Sequence, residues 1–271
     1  MNTTIEILGR TLKKIRFQKE QNRILEMSPF KEIGKELCPS NFGRALILTE
    51  FLKYVPDLLN SKKSLRVAVI GGSPEEYELA ALRKVGFEVS FQVFGIDGNS
   101  ILLDLNSEYS KTQEFPLSFD LVLCSQVLEH TWNIDAVFKN LAHLISSGAL
   151  IWVGAPASNR FHGSPEFYSA GYTAKFIELN FEKIGIATLQ SGQIGTKRNY
   201  LATHILPRWL SVRAHGNPIF FSLGQGNFFV NIFYIMRYLP WTLLLFLTSP
   251  RITNDSRYAT ESWFLGTQTP S

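Results

Sequence analysis

Residues 119–133 read FDLVLCSQVLEHTWN. Leu121, Val122 and Leu123 form an unbroken apolar run behind the polar, turn-like stretch 116–120. A run apolar on both faces suits a central parallel strand covered by helices, because neither face meets water. The run then stops in Ser125, Gln126, Glu129, His130 and Asn133, all polar or ionisable. Ligands of open α/β sheets bind at the carboxyl ends of strands. The stretch therefore reads as a strand that runs into a site.

Upstream, residues 65–86 read LRVAVIGGSPEEYELAALRKVG: strand, glycine turn at Gly71 and Gly72, then a helix predicted from Pro74 to about residue 85. Ser73 can cap that helix, Pro74 fits its first position, and Glu76 completes an S-x-x-E capping box. Glycine at such a turn lets backbone approach a ligand. Glu75 and Glu76 in the first turn oppose a phosphate. Neither G-x-G-x-x-G nor G-x-x-x-x-G-K-[ST] is present. A pyrophosphate ligand is disfavoured, and one with positive charge is better tolerated.

Residues 87–96, FEVSFQVFGI, predict a second strand ending at Asp97, whose carboxylate can accept both hydrogens of a ribose diol. Residues 101–105, ILLDL, predict a short third strand that sets Asp104 on the adenine side. Either aspartate also reads as an ordinary turn residue. After the opening stretch come a predicted helix (136–145), a buried strand (149–153), a loop GAPASNRFHGSPEFYSAGYT (154–173) and a helix (174–184). Within the loop, Asn159, Arg160, His162, Glu166 and Tyr168 lie at a carboxyl end and are candidates to bind an acceptor. Arg160 could pair with its carboxylate or phosphate. An exposed loop with an ordinary histidine is the alternative. Strands alternating with helices over 65–190 predict a doubly wound, mostly parallel Rossmann-like α/β sheet.

With VAVIGGSPEEYE, FGID and FDLVLCSQVLEHTWN in that order, residues 60–190 resemble a class I S-adenosylmethionine-dependent methyltransferase. The likeness is to the branch whose fourth motif reads FD-V-S--VLEH. It implies S-adenosylmethionine as cofactor, with Gly71, Gly72 and Ser73 beside its methionine part, Asp97 at the ribose and Asp104 beside the adenine. It further implies Ser125 and Gln126 near the sulfonium, and Glu129 and His130 on the acceptor side. Histidine there can serve as general base, since its ordinary pKa lies near neutrality. The chain departs from the family turn, which has an acid before it and alternate glycines; here Val69 and Ile70 precede, and Ser73 and Pro74 follow. The expected function is methyl transfer to a small-molecule or glycan-type acceptor, with a hydroxyl favoured. A catalytically degenerate binding or assembly module on the same fold is the alternative.

The domain reading is a helical cap (1–60), a cofactor-binding domain (61–190) and a hydrophobic, basic C-terminal extension (191–271). Residues 190–271 hold seven Lys/Arg against two Asp/Glu, while the rest holds 20 against 21. A basic, aromatic-rich tail suits an anionic partner or membrane surface. Within it, residues 228–248 are as long as a membrane span but interrupted by Asn231, Arg237 and Pro240. The readings open for that segment are core packing, self-association, contact with a membrane face, and a true span. Two cysteines make no disulfide framework, so a cytoplasmic setting is expected, peripheral to a membrane if the tail binds one. No secretory signal is visible in the first residues, no His/Cys cluster has metal spacing, and nucleic acid is not an expected partner.

Overall fold

A computed structural model describes residues 39–74, 76–96, 100–108, 119–159, 166–195, 197, 200, 204 and 256–268. Helix α1 (Pro39–Leu58) leads into strand β1 (Ser64–Ile70), helix α2 (Tyr77–Lys84), β2 (Glu88–Gly95) and β3 (Ile101–Leu102). Then come β4 (Phe119–Ser125), a 3-10 turn (Leu128–His130), α3 (Ile134–His143), β5 (Ile145–Pro156), α4 (Ala174–Glu182), β6 (Ile186–Ile194) and β7 (Glu261–Gln268). The sheet order is β3-β2-β1-β4-β5-β7-β6. β7 runs antiparallel to both its neighbours, and the pairings among β1 to β5 are parallel. The doubly wound, mostly parallel sheet expected from the sequence is present.

Side chains alternate between the two faces of each strand. Val67, Val69, Leu121, Leu123, Trp152 and Trp263 point to one face, where α1 and α2 cover them with Phe51, Leu52, Val55, Leu79 and Leu82. Ala68, Ile70, Val122, Cys124, Val153 and Phe264 point to the other, under Val137, Phe138 and Leu141 of α3 and Ile177 and Phe181 of α4. The run Leu121–Leu123 is at most 2% exposed. That two-sided burial is why the strand is apolar without alternation.

Several boundaries differ from the sequence reading for identifiable reasons. Helix α1 begins at Pro39, since proline suits the first turn. α2 starts at Tyr77 instead of Pro74, with Glu76 in the capping position. Glu76 makes one half of the expected capping box, accepting from the Ser73 N–H at 3.2 Å, and it also pairs with Arg44. β3 stops after two residues because Asp104 closes a turn, accepting from Asn106 N at 2.9 Å and Ser107 Oγ at 2.7 Å. β5 starts four residues earlier than predicted, joined to β4 through an irregularity between Phe119 and Leu121.

Residues 261–268, assigned by sequence to a C-terminal extension, form β7 inside the sheet, and the boundary at 190 falls within β6. Residues 1–38 and 228–248 lie outside the described residues. Among the described residues no helix is long and apolar enough to cross a membrane.

Candidate functional site

The chain winds from β1 outward through β2 to β3, then returns to place β4 on the other side of β1. That reversal opens a crevice beyond the carboxyl ends of β1 and β4, the usual ligand position in such sheets. Both sequence motifs, the glycine turn and the polar end of β4, meet there.

Gly71 leaves β1 with φ +62°, and its N–H donates to the Phe94 carbonyl at 2.7 Å. A Cβ at this residue would lie 2.9 Å from a methyl of Val127, so both its backbone and its surroundings demand glycine. At Gly72 a Cβ would lie 2.7 Å from Glu76 Oε1 and 2.9 Å from Val69 Cγ1. Across the crevice, Ser125 Oγ donates to Glu78 Oε1 at 2.9 Å. Gln126 has a left-handed backbone, φ 59°, the single such non-glycine residue among those described. Its N–H donates to the Gly154 carbonyl at 2.7 Å, and its Nε2 donates to Glu261 Oε2 at 2.9 Å. Strain of this kind in a bulky residue persists only where the surroundings hold it, and it collects at functional sites.

The 3-10 turn then presents Glu129 and His130. Glu129 is 2% exposed, and its carbonyl accepts from the N–H of Tyr168 at 2.8 Å, which ties the loop after β5 to the end of β4. His130 Nδ1 lies 2.7 Å from the Glu166 carbonyl. A carbonyl only accepts, so the ring proton sits on Nδ1 and the basic nitrogen of a neutral ring is Nε2. That atom is 3.8 Å from Glu129 Oε1. Of the loop candidates, Asn159 donates its N–H to the Ala170 carbonyl at 2.7 Å, and the exposed Tyr168 hydroxyl donates to the Glu166 carboxylate. Arg160, His162, Asp97 and Glu75 lie outside the described residues.

Three residues unforeseen in the sequence complete the site. Arg44 of α1 reaches Glu76 and lies over the Tyr77 ring, with 5.0 Å to its centroid. Glu78 of α2 and Glu261 of β7 bring buried carboxylates to the same end of the sheet. Burial raises the Glu78 carboxyl above the ordinary range, pushes Glu129 up to about 7 and pushes Glu261 up to about 8. Glu78 Oε2 and Glu129 Oε2 are buried without a hydrogen-bond partner among the described residues. Burial also raises the Cys124 thiol above its ordinary range. Among the described residues no group of His, Cys, Asp and Glu could hold a metal ion.

No family model matches the chain, and a search of curated proteins gives no match. Among solved structures it is similar to a SAM-dependent methyltransferase from Archaeoglobus fulgidus, with 13% identity and a TM-score of 0.43, over 83% of this chain and 94% of that one. It is similar to coclaurine N-methyltransferase bound to N-methylheliamine and SAH, with 12% identity and a TM-score of 0.45, over 82% of this chain and 70% of that one. It is also similar to the 4+2 cyclase SpnF, with 11% identity and a TM-score of 0.45, over 82% of this chain and 83% of that one. Likeness of fold does not specify chemistry, which resides in the side chains of the site.

Proposed function

We propose that the crevice between β1 and β4 binds S-adenosylmethionine and that the protein is a methyltransferase acting on a small-molecule acceptor. One observation carries the reading: the left-handed Gly71, packed against Val127, shares the crevice with buried carboxylates whose outer oxygens lack partners. S-adenosylmethionine carries an ammonium and a sulfonium, and buried carboxyls that a positive ligand would draw into their ionised form fit it as they would not fit a dinucleotide. Bound there, the cofactor would supply a methyl group already activated by its positive sulfur.

The chain's own residues would hold and orient. Gly71 and Gly72 let backbone lie close to the ligand, Glu78 answers positive charge beside Ser125, and Gln126 fixes the wall between cofactor and acceptor. Asp97 is proposed for the ribose, while Asp104 shapes the neighbouring loop through its own turn. His130, held by the Glu166 carbonyl, directs Nε2 toward Glu129 and is proposed as the base for a hydroxyl acceptor. Positioning can supply much of the rate in such a transfer.

Calorimetric titration of the full chain with S-adenosylmethionine tests the first step, and absence of binding at millimolar cofactor would sink it. Gly71→Ala is expected to weaken that binding about tenfold or more, since alanine is strained at this φ by about 1–2 kcal/mol and its methyl meets Val127. Unchanged affinity would remove the glycine turn from the site. With an acceptor found by screening for labelled methyl transfer, His130→Ala is expected to lower turnover by about 100-fold or more at unaltered cofactor affinity. Retained turnover would refute its role as base.

A further inference from the structure

We infer that the acceptor carries an organic ammonium, seated against Glu129 and Glu261; this rests on reading the crevice as a methyl-transfer site. Glu261 opens β7 opposite Pro156, the last residue of β5, and is 7% exposed. Gln126 donates to one of its oxygens, and Gly43 of α1 packs so closely on its carboxylate that a Cβ there would collide with it. Glu129 is 2% exposed, and its charge bears directly on Glu261. Its Oε2 has no hydrogen-bond partner among the described residues.

The charges do not balance. Besides His130, whose Nε2 lies 3.8 Å from Glu129 Oε1, Arg44 is the cationic group among the described residues whose field reaches Glu78, Glu129 and Glu261, and its guanidinium is paired with Glu76. One guanidinium stands among four carboxylates. Buried carboxylates without partners cost stability, either as ions or as trapped neutral acids. A protein keeps such an arrangement where a positive ligand completes it.

Position separates this seat from the cofactor's. Glu76 and Glu78 flank the glycine turn at β1, whereas Glu261 stands on β7, three strand positions along the sheet. At roughly 4.8 Å per strand the backbone of Glu261 is about 14 Å from β1, and its carboxylate reaches back to Gln126 at the end of β4. Its surroundings are organic in character. Val127 and Leu128 are buried beside the turn, and Tyr172 lies next to Glu129 with its hydroxyl 3.3 Å from the Leu128 carbonyl. An apolar and aromatic border around a carboxylate pair suits an alkyl- or arylammonium.

Titration of the full chain with methyl-, butyl- and benzylammonium chloride, each against the alcohol of the same skeleton, tests the seat. The titrations are run with and without S-adenosylhomocysteine. At least one ammonium is expected to bind about tenfold or more tightly than its alcohol, as loss of a charged hydrogen bond would dictate. Glu129→Gln and Glu261→Gln are each expected to abolish that preference while unfolding no earlier than the parent protein. Absence of any ammonium preference in the parent overturns the inference, and so does a preference that survives both substitutions. If the variants lose S-adenosylhomocysteine affinity and keep the ammonium preference, the carboxylates serve the cofactor and the inference is again overturned. Ammonium binding without S-adenosylhomocysteine binding would support the seat and refute the methyltransferase reading.

Discussion

Replacing Glu261 by glutamine is expected to make the protein more stable at pH 8.5 and to leave its stability at pH 4 nearly unchanged. The folded protein keeps a proton on this carboxyl up to about 8, because burial penalises the ion. The unfolded chain releases it in the ordinary carboxylate range. Between those limits the folded state binds more protons than the unfolded one, so stability falls as pH rises and levels off above about 8. At about 1.4 kcal/mol per pH unit of displacement, the loss is on the order of a few kcal/mol. Glutamine carries no such proton and still accepts the hydrogen bond from Gln126. The groups that face Glu261 are Glu129, which raises it further, and Arg44, which lowers it. Glu129 and Glu78 share the sign, so the variant retains part of the slope. Urea unfolding of both proteins at pH 4 and 8.5 measures the difference. Parallel pH profiles for the two would show that Glu261 ionises normally in the folded state.

Phe264→Ala is expected to cost about 3–5 kcal/mol, the range for deleting a fully buried aromatic ring. Phe264 is 0% exposed and stacks on Phe181 of α4, with ring centroids 4.6 Å apart and planes inclined by 14°. Its strand pairs with Val153 of β5 on one side and Ser191 of β6 on the other. The ring therefore ties the C-terminal strand to a helix that the sequence places some 80 residues earlier. Urea denaturation reads the change in midpoint. A loss below about 1 kcal/mol would mean that β7 contributes little to the core.

Whatever followed from local period was legible in the sequence. Leu121–Leu123 predicted a strand covered on both faces, and its polar end meets the glycine turn where Val127 packs on Gly71. The glycine turn was legible as well, since its requirement belongs to one residue's backbone. What escaped the sequence were features set by pairing across long separations. Glu76 makes its expected bond to the Ser73 N–H, but its pairing with Arg44 on another helix was not legible, nor was the later start of the helix at Tyr77. Glu78 looks like an ordinary helix-surface acid until β4 brings Ser125 against it. ESWFLGTQ is a plausible strand in isolation, but nothing near it says that it enters between β5 and β6. Once it does, the acid at its head becomes part of the site.

The position of β7 also orders the birth of the molecule. Among the described strands β6 pairs with β7 alone, and more than sixty residues separate the end of β6 at Ile194 from the start of β7 at Glu261. While the polypeptide emerges from the ribosome, β1 to β5 can assemble as a parallel half-sheet, but β6 has no neighbour until residues 261–268 appear. Closing the sheet requires contacts between distant parts of the chain, which is the slow kind of folding step. Glu261 arrives with β7, so until residues 261–268 are made the nascent chain meets chaperones and proteases with an open sheet and an unfinished crevice, and ligand can stabilise the whole sheet only once that strand is in place.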